Sequence, residues 1–112
     1  MTASVSPAGG QHSVHFAVYR WKDGSPVAEI ERGFDELCRM GTEVPGIRLV
    51  SWGVNDSEFS KGYTHAMTIV GNDMAAVRAY RELARNHPIA KVMQECEEDG
   101  IGADYDYAPT AS

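Results

Sequence analysis

Positive charge is scarce in this chain. Ten Lys and Arg face sixteen Asp and Glu, giving a net charge of −6, and the few cations are scattered, without the basic stripe that a phosphate backbone requires. Nucleic acid is therefore excluded as an expected partner. Cysteine is sparse too: Cys38 and Cys96 are far apart and lack the spacing of a metal knuckle or a redox motif, so they read as two thiols in a reducing cytoplasm. No run approaches the roughly 18 to 20 apolar residues that a membrane-spanning helix needs, and the N-terminus has neither the basic region nor the apolar stretch of a signal peptide. The expectation is a soluble cytoplasmic protein with no membrane contact. At 112 residues the chain suits one domain with one core.

Residues 1–12, rich in Ser, Ala, Gly and Pro, carry too little apolar surface to offset ordering entropy and are expected to form a tail that includes His12. From Ser13 to Trp21 the β-branched and aromatic residues predict a strand. Ser25 as N-cap and Pro26 at the first helical position then predict a helix running to about Met40, where Gly41 stops it. Val27, Ile30, Phe34, Leu37 and Cys38 supply its apolar stripe. Val44-Pro45-Gly46 turns the chain into a second strand, 47–53, and a polar loop leads to a third strand opened by Gly62-Tyr63-Thr64-His65.

Gly71-Asn72-Asp73 caps a second helix with Met74, Val77, Tyr80, Leu83 and Ala84 on its buried side. Pro88 starts a third helix, with an apolar stripe of Ile89, Val92, Met93 and Cys96 and a solvated acidic end of Glu95, Glu97, Glu98 and Asp99. A last strand, 100–107, places Tyr105 and Tyr107 on one face, while Asp104 and Asp106 alternate with them and are expected at solvent. Residues 109–112 trail off as a C-terminal tail. The order strand, helix, strand, strand, helix, helix, strand implies an α+β domain: one antiparallel sheet with helices on one face.

Period-two alternation puts His15, Ala17, Tyr19 and Trp21 on one face of the first strand, and His65, Met67 and Ile69 on one face of the third. Two imidazoles are thus expected to converge in an apolar, aromatic-lined pocket. The opposite face of the first strand carries Val14, Phe16 and Val18, so both faces need cover although the helices can cover only one. A two-fold homodimer, sheet against sheet, is the economical solution.

These residues resemble the Dabb proteins, the stress-responsive dimeric α/β-barrel domains. The resemblance rests on His15 before Lys22-Asp23, Pro45-Gly46, Gly62-Tyr63-Thr64-His65, His87-Pro88 and Asp106-Tyr107, in order, over residues 13–108. It implies a ferredoxin-like protomer in a dimeric barrel. It also implies a pocket between sheet and helices, as in the family's aldol-type polyketide cyclase, which uses neither metal nor organic cofactor. By that resemblance His15 and His65 fall on pocket histidines, Ala17, Tyr19, Leu37 and Met67 line the cavity, and His87 joins the substrate-binding set. Gly33 stands where the cyclase has an aromatic residue and is expected to widen the pocket. The cyclase's basic histidine is replaced by Ala90. Its catalytic tyrosine maps to Tyr80 if Arg81 to Ala84 is an insertion, and to Ala84 otherwise.

Ring closure by aldol or Michael addition needs a base for an acidic proton and a donor for the developing enolate. His15 or His65 is the candidate base, since an imidazole titrates near pH 6.5, and Tyr19 or Tyr80 the candidate donor. The leading expectation is a cofactor-independent cyclase or related tailoring enzyme for a polyketide-like, hydrophobic carbonyl compound. Two others stand beside it: a non-catalytic stress-associated or ligand-binding dimer, favoured by Ala90, and a cofactor-independent monooxygenase using Trp52 or Trp21.

Overall fold

The structure, a computed structural model, describes residues 11–108; residues 1–10 of the expected 1–12 tail, and the expected tail at 109–112, lie outside the described residues. The elements are β1 (His12–Trp21), α1 (Val27–Met40), a 3-10 turn (Gly41–Glu43), β2 (Ile47–Val54), β3 (His65–Gly71), α2 (Met74–Arg85), α3 (Pro88–Cys96) and β4 (Glu97–Tyr107). All strand pairs are antiparallel and the order across the sheet is β2-β3-β1-β4. This is the ferredoxin-like α+β arrangement that the element order implied, with β1 in the sheet interior and the helices on one face.

Several boundaries depart from expectation for local reasons. His12 belongs to β1, because it pairs with Tyr107 at the start of the β1–β4 ladder. Ser25 does not cap α1; its hydroxyl donates to the Lys22 carbonyl at 2.6 Å and closes the preceding turn, so α1 starts one residue after Pro26. Gly41 keeps right-handed helical angles, and the chain tightens into the 3-10 turn before it leaves the helix. The acids Glu97, Glu98 and Asp99 lie in β4 and not at the end of α3. Cross-strand pairing there replaces a helical turn that would have piled carboxylates onto a negative helix terminus. Arg20 donates to Glu98 at 3.2 Å, and the Tyr63 hydroxyl donates to Asp99.

The core gathers Ile30, Phe34, Leu37 and Met40 from α1, Met67 and Ile69 from β3, Val77 and Tyr80 from α2, and Met93 from α3. On α1 the spacing 30, 34, 37 is the predicted stripe, but Val27 is 45% exposed. Leu83 is 41% exposed, because it sits well round the helix from the buried Val77 and Tyr80. Asp73 caps α2 as expected, accepting from the Ala76 amide at 2.8 Å. Among the described residues no helix is long and apolar enough to cross a membrane.

The sheet face away from the helices stays uncovered in the protomer. Phe16, Leu49, Ile101, Tyr105 and Tyr107 are exposed, and by strand alternation they share that face.

The β2 approach depends on Gly46, whose φ is +89° and whose added Cβ would lie 2.9 Å from the Ala76 Cβ. A side chain there meets both left-handed backbone strain and the flank of α2. Gly46→Ala is expected to destabilise the fold by about 2 kcal/mol, seen as a lower urea midpoint at unchanged m-value.

Candidate functional site

The helix-facing side of the sheet and the inner faces of α2 and α3 border a cavity of about 320 Å³ that is open to solvent on one side. Strand alternation supplies its floor: His15, Ala17, Tyr19 and Trp21 from β1, and Met67 and Ile69 from β3. Tyr80, Arg81, Ala84 and Arg85 come from one face of α2, at helical spacing. Ala90, Met93 and Gln94 do the same on α3, and the neighbouring wall is Glu97, Gly100, Ile101 and Gly102 of β4.

His15 is the best-placed acid–base group in this cavity. Its Nδ1 lies 2.5 Å from Asp104 Oδ1, and its side chain is 12% exposed. The hydrogen bond follows from register, since His15 is directly opposite Asp104 in the β1–β4 ladder. A carboxylate accepting from Nδ1 fixes the tautomer that leaves the Nε2 lone pair free. Among the described residues Nε2 has no hydrogen-bond partner. The close neighbour beside the ring is Gly102, where an added Cβ would sit 3.3 Å from His15 Cε1. Asp104 is held below the usual carboxylate range, chiefly by the bond from His15 and with help from Arg81 and Arg78. Asp104 is at solvent as expected, its side chain 45% exposed, and from there it also holds His15. Asp106, two residues on, accepts from the Ser13 hydroxyl at 2.6 Å on the same face.

Tyr19 presents a phenol whose hydroxyl has no hydrogen-bond partner among the described residues. Its ring stacks on Trp21 at 5.4 Å with 9° between planes. Burial pushes the hydroxyl up to about 12; the Glu97 carboxylate adds to the rise and Arg81 opposes it. Tyr19 therefore remains a proton donor across the physiological range. Burial, with a smaller push from Asp99, also raises the carboxyl of Glu97.

His65 is elsewhere, and the expected convergence of two imidazoles does not occur. It pairs with Tyr19 while His15 pairs with Ile69, a separation along the strands of about 13 Å at 3.3 Å per residue. Its ring is 4% exposed, stacked on Phe34 and on Trp52, each with centroids at 5.9 Å. The Trp21 indole N–H donates to Nδ1 at 3.0 Å, and the Thr64 hydroxyl lies 2.8 Å from the same nitrogen. An indole can only donate, so Nδ1 is an acceptor, and Nε2 carries the proton that reaches Glu31 at 2.8 Å. Both nitrogens are committed, and none is left for a ligand.

The remaining sequence candidates divide in the same way. Ala17, Leu37 and Met67 line the cavity, as do both residues considered for the family tyrosine, Tyr80 and Ala84. The Tyr80 hydroxyl, however, donates to the Leu37 carbonyl and ties α2 to α1. Gly33 does not widen the cavity. It lets α3 approach α1: an added Cβ would be 2.8 Å from Ile89 Cγ1 and 3.1 Å from Met93 Sδ. His87 is the N-cap of α3, accepting from the Ile89 amide at 3.1 Å, and lies off the cavity. Ala90 does line it, so a methyl group stands where the family cyclase keeps its base. Among the described residues no cluster of His, Cys, Asp and Glu has the makings of a metal site.

His65→Ala is expected to lower stability by about 2 to 4 kcal/mol, from lost stacking and from the indole and hydroxyl left unpaired; denaturant unfolding measures it. A phenol raised on folding binds more protons in the native than in the unfolded state, so wild-type stability should fall as pH rises from about 10 to about 12. Tyr19→Phe should flatten that fall, leaving the part due to Tyr80, which burial also raises, and to Tyr63, raised by its bond to Asp99. Unfolding free energies at a series of alkaline pH values test the difference.

Solved structures of other proteins share this architecture. A dimeric ferredoxin-like protein of unknown function from Thermobifida fusca is 18% identical and superposes with a TM-score of 0.67 over 86% of this chain and 91% of that one. A hydroxynitrile lyase from Passiflora edulis is 16% identical, with a TM-score of 0.66 over 90% and 97%. A Dabb family protein with a ferredoxin-like fold from Mesorhizobium loti is 18% identical, with a TM-score of 0.60 over 90% and 99%. At these identities the likeness is one of fold. No curated protein matches the sequence. The model of the stress responsive A/B barrel domain, Dabb, matches residues 13–106, and the chain belongs to that family.

Proposed function

We propose that this protein is a cofactor-independent acid–base enzyme that closes a ring in a polyketide-like, hydrophobic carbonyl compound, and that it works as a homodimer. The observation that carries the reading is His15 on the cavity lining, held by Asp104 at one nitrogen, with the other unbonded among the described residues. In this role Nε2 removes a proton from the acidic carbon between two carbonyls of the substrate. Tyr19 stands four residues, about 13 Å, further along β1, so its phenol meets a more distant part of the substrate chain and not the enolate oxygen that forms. The enolate carbon then attacks a carbonyl further along the chain, and the new alkoxide recovers the proton from the imidazolium. No net proton is consumed. Ala17, Met67, Leu37 and Ile69 supply the apolar walls that hold a flexible chain near the reacting geometry, a contribution that rivals the acid–base step itself. The volume of about 320 Å³ falls at the lower end of ordinary ligand sites, which begin at roughly 300 Å³.

The dimer is supported by the uncovered sheet face with Phe16, Leu49, Ile101 and Tyr105, and by the dimeric state of similar structures. Its cavities lie on the helix side of each sheet, away from that face.

A second reading, a ligand-binding dimer without chemistry, is favoured by Ala90 at the family base position. In it the His15–Asp104 bond fixes β4 to β1 and nothing more. Trp52 offers little to an oxygenase reading: it stacks on Phe34 and donates to Asp35 at 2.8 Å, and Trp21 spends its N–H on His65.

Linear poly-β-ketide acids and thioesters, incubated with the protein and followed by mass, separate these readings. Wild type should shift the products toward rings, with His15→Ala lowering the rate by about 10²- to 10⁴-fold and Asp104→Asn falling between the two. Equal product profiles for wild type and a folded His15→Ala dimer would sink the enzyme reading.

A further inference from the structure

The cavity wall from α2 carries a cation that the proposed ring closure does not use. Arg81 is half-buried, lines the cavity, and has no carboxylate partner within ion-pair distance among the described residues. Most Lys and Arg of this chain lack one too, but those others are exposed, whereas Arg81 is half-buried against the cavity. Its neighbour one turn on, Arg85, also lines the cavity but is paired with Glu82 of the same helix. Arg81 shares the cavity lining with His15 and Tyr19. The other ionisable carboxyl on the lining is Glu97, which makes no ion pair with Arg81. Burial favours its neutral form.

A half-buried guanidinium beside an apolar cavity has donors in a planar fork, and a carboxylate matches that fork with two parallel hydrogen bonds. We propose that Arg81 anchors the carboxylate of an amphipathic acid whose apolar chain lies in the cavity over Ala17, Leu37, Met67 and Met93. The assignment rests on the reading of this cavity as a ligand site and names the substrate class: a carbonyl compound presented as a free acid. Phosphate is the other anion an arginine takes. A phosphoryl head would want several cations, and here the second arginine is committed to Glu82, with Glu98 and Asp99 following Glu97 along β4.

Calorimetric titration with octanoate, methyl octanoate and octyl phosphate tests the anchor without requiring turnover. Wild type should bind octanoate about ten-fold or more tightly than the methyl ester. Arg81→Ala should erase that preference, and Arg81→Lys should restore part of it. Arg78→Ala, a loss of equal charge on the same helix outside the lining, should preserve it. Equal binding of acid and ester by wild type, retention of the preference in Arg81→Ala, or no binding of any of the three overturns the proposal. Tighter binding of octyl phosphate than of octanoate overturns the carboxylate assignment. His15→Ala should keep the preference. A protein that prefers the acid yet cyclises no polyketone supports the anchor and defeats the cyclase; one that cyclises polyketones while binding acid and ester alike does the reverse.

Discussion

The ladder between β1 and β4 sets the chemistry this cavity can offer. It pairs His15 with Asp104, Ser13 with Asp106, and Tyr19 with Gly100, and each pair lies on the helix side of the sheet. In a strand the side chains alternate, so a slip of one residue would carry Asp104 to the opposite face and leave His15 without its carboxylate. The same slip would turn Tyr105 and Tyr107 into the helices. The uncovered apolar face and the oriented imidazole are therefore two results of one register.

His15 and His65 show how similar sequence settings part company in space. Each stands on a strand face with apolar neighbours at alternate positions. His65 is closed in by Phe34, Trp52 and Trp21 and has both ring nitrogens bonded, while His15 keeps one nitrogen free at a cavity wall. The difference lies in what crosses above each ring. α1 brings Phe34 and Glu31 over His65, whereas above His15 α2 and α3 leave a space edged by small residues such as Ala84, Ala90, Gly100 and Gly102.

Much of the fold was legible in residue patterns. Alternation placed the strands, the 30, 34, 37 row placed the inner face of α1, and Pro88 and Asp73 marked helix starts. The cavity floor of His15, Ala17, Tyr19 and Met67 followed from period two. Contacts between elements distant in sequence were harder to read. That Gly33 serves a close helix approach depends on where α3 crosses α1, and that Tyr80 spends its hydroxyl on Leu37 depends on how α2 meets α1. Asp104 is an intermediate case. Its alternation with Tyr105 was plain, and a ferredoxin-like strand order places β4 beside β1, so seating the tyrosines on the open face would have turned Asp104 toward His15.

Asp104 and Tyr105 are consecutive residues of β4, one reaching toward the imidazole and the other toward the uncovered face. A peptide unit that holds one side chain holds the other. Whatever settles against Tyr105 thereby stiffens the carboxylate that orients His15, so the outer surface of the sheet and the acid–base pair behind it form a single mechanical unit one residue thick.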